Sequence, residues 1–233
     1  MKMALAVLAL AAGVAAADVY NDNSGNHLAG GDLHDFFASQ GFNHLDIISV
    51  TVTNDATNLY ISIQTGADLD ATNWGTYVVG INTGAGVAGD NPWGRNINWG
   101  GQSISHWIGT WANDNGSGVG GQLWSHDGGG WNLIDGLTSS DDSQHAAGRQ
   151  VFSVSLASLG VSVGDKIMFD IASSGGVGNP PGVDHLSRSD FATTDWDTAS
   201  VAGDFLSYCI IPSPSTLALL GIGSLMAARR RRA

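Results

Sequence analysis

The chain has 233 residues, of which 43% are hydrophobic and only 13% charged, so a disordered chain is excluded. All 21 acidic residues are aspartates, and together with 33 glycines they favour turns, which excludes a mainly helical protein. Residues 18–211 carry 4 basic residues against those 21 Asp, a net charge of −17 that repels phosphates and excludes nucleic-acid binding.

Residues 1–17 have the three parts of a secretory signal peptide. Lys2 supplies the positive start, residues 3–12 are apolar, and three alanines at 15–17 form a small-residue cleavage site. We therefore expect export through Sec-type machinery and removal of this segment by signal peptidase.

The next segment, residues 18–35, is rich in Asp, Asn and Gly. Calcium is bound by several carboxylate and carbonyl oxygens, which makes Asp22, Asp32 and Asp46 candidate Ca²⁺ ligands. Their spacing does not match an EF-hand loop. The alternative is that these acids are solvated turn residues that keep an extracellular protein soluble.

Alternation of apolar and polar side chains predicts β-strands at residues 45–53 and 59–64, joined as a hairpin through the polar residues 54–58. Short helical segments are predicted at 32–39, with Asp32 as N-cap, and at 155–159, and an irregular loop at 173–198. Six further strands are predicted between Gly, Asn or Asp turns, at residues 76–82, 104–111, 121–124, 131–134, 149–156 and 166–172.

This pattern predicts a single all-β domain over residues 18–209, an antiparallel β-sandwich of jelly-roll-like type. Asp22, Gly31-Asp32 and the runs LDIISVTV (45–52), NLYISI (58–63) and WGTYVVGINT (74–83) resemble the opening of DOMON-like and glucodextranase-C-terminal-like modules. The resemblance implies a β-sandwich similar to some carbohydrate-binding modules, often with structural calcium.

Tryptophan is concentrated in one segment, since seven of the eight lie between residues 74 and 131. Tryptophan flanked by small polar residues can stack on sugar rings, although most such rings in proteins fill the core. Trp107 and Trp111 are four residues apart on a predicted strand, so both point to one face. With Trp93 and Trp99, which are six apart, they are the candidate sugar-stacking residues.

No catalytic residues are predicted. The sequence has no GxSxG elbow, no HExxH and no P-loop, and its single cysteine, Cys209, lies next to the tail. The pairs Asp68/Asp70 and Asp195/Asp197 could form a glycosidase site, but they lie in turn-like sequence.

The C-terminal segment, residues 210–233, combines three features. Pro212, Ser213 and Pro214 precede an apolar run at residues 216–228, predicted as a short transmembrane helix, and the run is followed by Arg229, Arg230, Arg231 and Arg232. This layout resembles the PEP-CTERM sorting signal, with Ser213 in place of the usual glutamate. The resemblance implies an inner-membrane intermediate, processing by an exosortase-like enzyme and transfer to the cell surface or extracellular matrix.

Three functions are compatible with these observations. The first is a non-enzymatic exported protein that binds, or is embedded in, extracellular polysaccharide. The second is a structural matrix or surface protein without a specific ligand. The third is a glycoside hydrolase with an unrecognised Asp site.

Overall fold

A computed structural model describes residues 17–72, 74–112, 120–176 and 178–212. In this part of the chain helical structure is limited to one α-helical turn, α1 (Asp35–Ala38), and three 3-10 turns at His27–Ala29, Asn43–Leu45 and His145–Ala147. None of the described helices is long and apolar enough to span a membrane. Nearly all of the predicted signal peptide and the predicted tail helix at 216–228 lie outside the described residues.

The described residues contain fourteen β-strands. They are β1 (Asp18–Asn21), β2 (Ile47–Asn54), β3 (Asn58–Thr65), β4 (Thr76–Asn82), β5 (Ile97–Asn98), β6 (His106–Trp111), β7 (Gly121–His126), β8 (Trp131–Gly136), β9 (Ser139–Asp141), β10 (Arg149–Ser155), β11 (Lys166–Ser174), β12 (Gly182–His185), β13 (Ser200–Val201) and β14 (Leu206–Cys209).

Two antiparallel sheets account for most of these strands. The first has the order β1-β2-β3-β10-β9, and the second has the order β12-β11-β4-β6-β7-β8, with β14 also paired to β11. The short strands β5 and β13 pair in parallel as a separate two-stranded sheet. The all-β prediction is therefore confirmed.

The main hydrophobic core lies between the two sheets. In β3 every second residue is buried, which follows from the alternating side-chain directions of a strand with one face covered. The first sheet contributes Leu59, Ile61, Ile63, Phe152 and Val154, and the second contributes Val79, Ile81, Ile108, Phe169 and Ile171.

Two smaller clusters extend the core and position the sites described below. One covers the outer face of the second sheet, where Trp99, Ile104 and Phe205 pack on Trp107 of β6 and its neighbours. Because this sheet is covered on both faces, six of the seven residues of β4 are buried. The other cluster joins α1 to β12 through Leu33, Phe37, Leu45 and Val183.

Most strand predictions are confirmed, including the β2–β3 hairpin, and three other predictions are wrong. The segment 155–159, predicted as a short helix, is a non-helical turn that follows the end of β10 at Ser155. The N-cap of α1 is His34, whose side chain accepts a hydrogen bond from the Phe36 N–H, and not Asp32. The segment 173–198 is not irregular throughout, because it contains β12, whose four residues are all buried through pairing with β11.

Candidate functional site

Three aspartates from distant parts of the chain lie close together. Asp22 follows β1, Asp32 lies in the loop before α1, and Asp184 lies in β12. One carboxylate oxygen from each lies within 4.8 Å of those of the other two. The structure therefore brings Asp22 and Asp32 together, as expected for candidate calcium ligands, and adds Asp184.

These carboxylates have few hydrogen-bond partners. Asp32 is 0% exposed and neither of its carboxylate oxygens has a partner. The Oδ2 of Asp22 is also buried without a partner, while its Oδ1 accepts the Asn23 N–H. Asp184 is better satisfied, since it accepts the N–H of Ile47 at 2.7 Å and that of His185 at 2.8 Å.

Crowding of buried acids changes their protonation. Burial, followed by the charges of Asp184 and Asp32, raises the pKa of Asp22 to about 10. Burial also raises the pKa of Asp32 to about 6, and it raises the pKa of Asp184 well above its usual range. The protein alone therefore stabilises the neutral form of these carboxyls.

Asp46, the third candidate ligand, is not a member of this group. Its two carboxylate oxygens accept the Gly25 N–H, both at 3.1 Å, so its side chain holds the loop that carries Asp32. Local sequence gave no sign of Asp184, because it belongs to a strand that was not predicted.

Two of the four candidate stacking tryptophans are enclosed by protein. Trp99 is 1% exposed and Trp107 is 0% exposed, and their rings pack against each other with centroids 6.0 Å apart. Neither presents a ring face to a ligand, because the segment 88–104 covers this face of the sheet.

Trp93 and Trp111 are the candidates that line a cavity. Trp107 and Trp111 share one face of β6, as their spacing predicts, and the Trp93 ring lies over Gly109 between them. The Trp93 and Trp111 rings are tilted by 31°, with centroids 5.8 Å apart, so they form a bent rather than a flat surface. The Trp93 indole N–H donates to Gln122 Oε1 at 2.8 Å.

Two cavities that share the lining residue Gly176 are together called the tryptophan cleft. The first, of about 460 Å³, is lined by Thr76, Trp93, Arg95, Trp111, Gln122 and Gly176. The second, of about 400 Å³, shares Gly176 and is lined by Trp74, Gly175, Asn179, Pro180, Trp196 and Asp197. All four tryptophans are partly exposed.

Arg95 is the cation of this cleft. It is 7% exposed, its Nε has no hydrogen-bond partner, and none of the ion pairs formed by the described residues includes it. Its guanidinium carbon lies 5.4 Å from the Trp93 ring centroid, and burial lowers its pKa. Asn91 fixes the backbone of Arg95 through two hydrogen bonds.

A Ser-His-Asp arrangement that the sequence did not predict is formed by Ser200, His185 and Asp170. His185 joins Asp170 Oδ2 through Nδ1 at 2.5 Å and Ser200 Oγ through Nε2 at 3.0 Å. All three residues are 0% exposed, and none lines either cavity of the cleft. A nucleophilic serine needs access to substrate, which the buried Ser200 does not have. We therefore interpret these hydrogen bonds as a structural link between β11, β12 and β13.

The remaining sequence candidates occupy turns or lie outside the described residues. Asp68 accepts the Asp70 N–H and Asp195 accepts the Asp197 N–H, which are turn-stabilising contacts. Of the sorting motif only Pro212 is described, whereas Ser213, Pro214 and the four arginines at 229–232 are outside the described part.

In comparisons with known proteins, no protein-family model, no curated protein and no solved structure matches this chain.

Proposed function

We propose that the protein is an exported, non-enzymatic β-sandwich of jelly-roll-like type that is sorted to the cell surface and binds extracellular polysaccharide in the tryptophan cleft. The sequence of residues 1–17 and of the tail 210–233 supports export and sorting. The cleft supports the choice of ligand. The proposed partners are Sec-type export machinery, signal peptidase, an exosortase-like enzyme and the polysaccharide itself.

The observation that carries this proposal is that aromatic rings and polar side chains line the cleft on both sides of Gly176, where there is open space. Gly176 lies where the two cavities meet, and a Cβ added there would have no atom nearer than 3.9 Å. Trp111 and Trp196 line the two sides, with Gln122 and Asn179 beside them. A sugar ring has apolar C–H faces and hydroxyls at its edge, so it is complementary to this arrangement.

Arg95 supports an acidic sugar as the preferred ligand. A buried guanidinium without a carboxylate partner is unfavourable, and a ligand carboxylate would supply the missing charge and hydrogen bonds. The net charge of −17 over residues 18–211 (4 basic residues against 21 Asp) opposes densely charged polyanions. A polysaccharide with spaced uronic acids meets both conditions.

The proposal is tested by retention of the purified full chain on neutral and uronic-acid polysaccharides. Trp111→Ala should weaken binding about tenfold or more, because loss of a stacking ring costs about 1.4 kcal/mol or more. Trp131→Ala is the matched control, since this partly buried tryptophan lies outside the cleft and hydrogen-bonds Asp90. A folded protein that no polysaccharide retains would overturn the proposal.

The choice of an acidic sugar has a separate test. Arg95→Gln should lower affinity for a uronic-acid oligosaccharide about tenfold to a hundredfold, since a hydrogen bond to a charged group contributes about 1.5–3 kcal/mol. The same substitution should leave binding of a neutral oligosaccharide nearly unchanged. Equal losses for both sugars would contradict the charge argument while leaving polysaccharide binding itself intact.

One observation favours the structural matrix protein as a second function. β8 is the last strand of the second sheet, and Leu133 and Ile134 on it are 54% and 41% exposed. An exposed apolar edge strand can pair with another chain. Concentration-dependent assembly in light scattering, lost in Ile134→Lys and independent of glycan, would support this alternative.

A further inference from the structure

We infer that Asp22, Asp32 and Asp184 form a structural calcium site that joins the two sheets. The inference does not depend on polysaccharide binding, because none of the three residues lines the tryptophan cleft. It rests on the geometry of the three carboxylates, on the unpartnered oxygens of Asp32 and on the local charge.

The spacing of the oxygens fits one shared cation. Calcium binds oxygen at about 2.3–2.6 Å, so two ligands on opposite sides of one ion lie up to about 5 Å apart. The three carboxylate oxygens lie within 4.8 Å of one another, so a single ion between them reaches all three.

Asp22 and Asp32 carry buried oxygens that lack other partners, whereas both oxygens of Asp184 accept backbone N–H groups. Asp32 is completely buried, and both of its oxygens are unpartnered, as is the buried Oδ2 of Asp22. Leaving a buried polar group unpaired is costly, and leaving a buried charge unpaired costs far more. A bound cation would satisfy these oxygens at once.

No basic side chain in the described part of the chain compensates this charge. The ion pairs formed there are His145–Asp70, His185–Asp170 and Arg188–Asp190, and none involves Asp22, Asp32 or Asp184. Arg188 lies beside Asp22 at the surface but is committed to Asp190 and to the Val201 carbonyl.

The donor set favours calcium over other common cations. All donors are oxygens, whereas Zn²⁺ sites in proteins usually contain His or Cys. Mg²⁺ demands a regular octahedron and keeps several waters, whereas Ca²⁺ accepts irregular carboxylate sets.

The ligands come from both sheets, so the ion would act as a cross-link. Asp22 continues β1 of the first sheet, Asp184 lies in β12 of the second, and Asp32 lies in the loop between β1 and β2. Asp46 supports this loop through Gly25. Unfolding would separate the ligands and release the ion, so calcium should stabilise the folded state.

The test is the melting temperature of the purified full chain after chelation and dialysis, across a series of free Ca²⁺ concentrations. Each tenfold increase above the dissociation constant should raise Tm by about 3–5 °C, since it adds one factor of ten to the folding equilibrium. Calorimetric titration should give one Ca²⁺ per chain. Mg²⁺ should give a smaller Tm shift at equal concentration.

Asp32→Asn is the decisive variant. It removes one charge and no observed hydrogen bond, so the calcium-free protein should melt at the same or a higher temperature than the wild type while the calcium-dependent shift disappears. Asp142→Asn, at an exposed aspartate, is the matched control and should keep the full shift. A wild-type Tm that is independent of Ca²⁺, or a shift retained in Asp32→Asn, would overturn the inference. A shift with Mg²⁺ and none with Ca²⁺ would refute the choice of ion.

Discussion

Replacement of Gly109 by alanine tests how β6 positions the cleft. An alanine Cβ at this position would lie 2.2 Å from two ring atoms of Trp93. Ordinary van der Waals contact begins at 3.4 Å, so ring or strand must move by about 1.2 Å. The backbone at Gly109 does not require glycine, since its φ is not in the left-handed region, and the contact alone determines the outcome.

The Trp93 ring has little room to move. Its N–H donates to Gln122 at 2.8 Å, and the enclosed Trp107 packs against it. Overpacking costs about 1–3 kcal/mol, and loss of this hydrogen bond costs about 1 kcal/mol. We expect Gly109→Ala to lose about 2–3 kcal/mol of unfolding free energy, which lowers Tm by about 5–10 °C in a domain of this size.

The assay is thermal and urea unfolding followed by tryptophan fluorescence, with retention on polysaccharide as a second readout. Gly89→Ala is the control, because a Cβ there would meet nothing within 4 Å and the residue is exposed. If Gly109→Ala melted within 1 °C of the wild type, the packing of Trp93 on β6 would be refuted. Retention should fall with Gly109→Ala and remain with Gly89→Ala.

Two further predictions concern hydrogen-bonded aspartates. Burial raises the pKa of Asp55, but the hydrogen bonds from Tyr60, Thr57 and Asn58 together outweigh this effect and lower the pKa to about 2. Its carboxylate therefore stabilises the fold above about pH 4, and this contribution disappears as the pH falls towards 2. Asp55→Asn should be about 1 kcal/mol less stable than wild type at pH 7, after allowance for solvent screening, with the difference vanishing near pH 2 in urea titrations; a constant difference would contradict this. Asp170→Asn should lose about 1.5–3 kcal/mol at pH 7, because the buried Asp170 carboxylate is hydrogen-bonded to His185 Nδ1 and to the N–H groups of Ile171 and Ser187; a loss below 1 kcal/mol would show that these hydrogen bonds are not structural.

Local sequence determined much of the sheet structure. The β2–β3 hairpin was predictable because alternating side chains and a polar turn act over a few residues. Strand β4 begins and ends where predicted. In contrast, β12 has four residues next to two prolines, and only its pairing with β11 and burial of all four residues make it a strand.

The sugar-binding candidates show the same division. Even spacing placed Trp107 and Trp111 on one face of β6, which the structure confirms. Sequence did not show that the segment 88–104 folds over Trp107 and leaves Trp111 in a cavity. Trp196, the other wall of the cleft, is distant in sequence and joins it only through the packing of α1 and β12.

The sequence by itself determined an all-β body with a strong negative charge, because composition and period-two alternation are properties of short segments. It also placed Asp22 and Asp32 in a loop rich in potential oxygen ligands. Only the tertiary structure placed Asp184 beside them, since the distance between carboxylates on different sheets depends on how the sheets pack. The same packing removed water from Asp32, which turned an ordinary acidic residue into a buried carboxyl whose ionised form needs a partner.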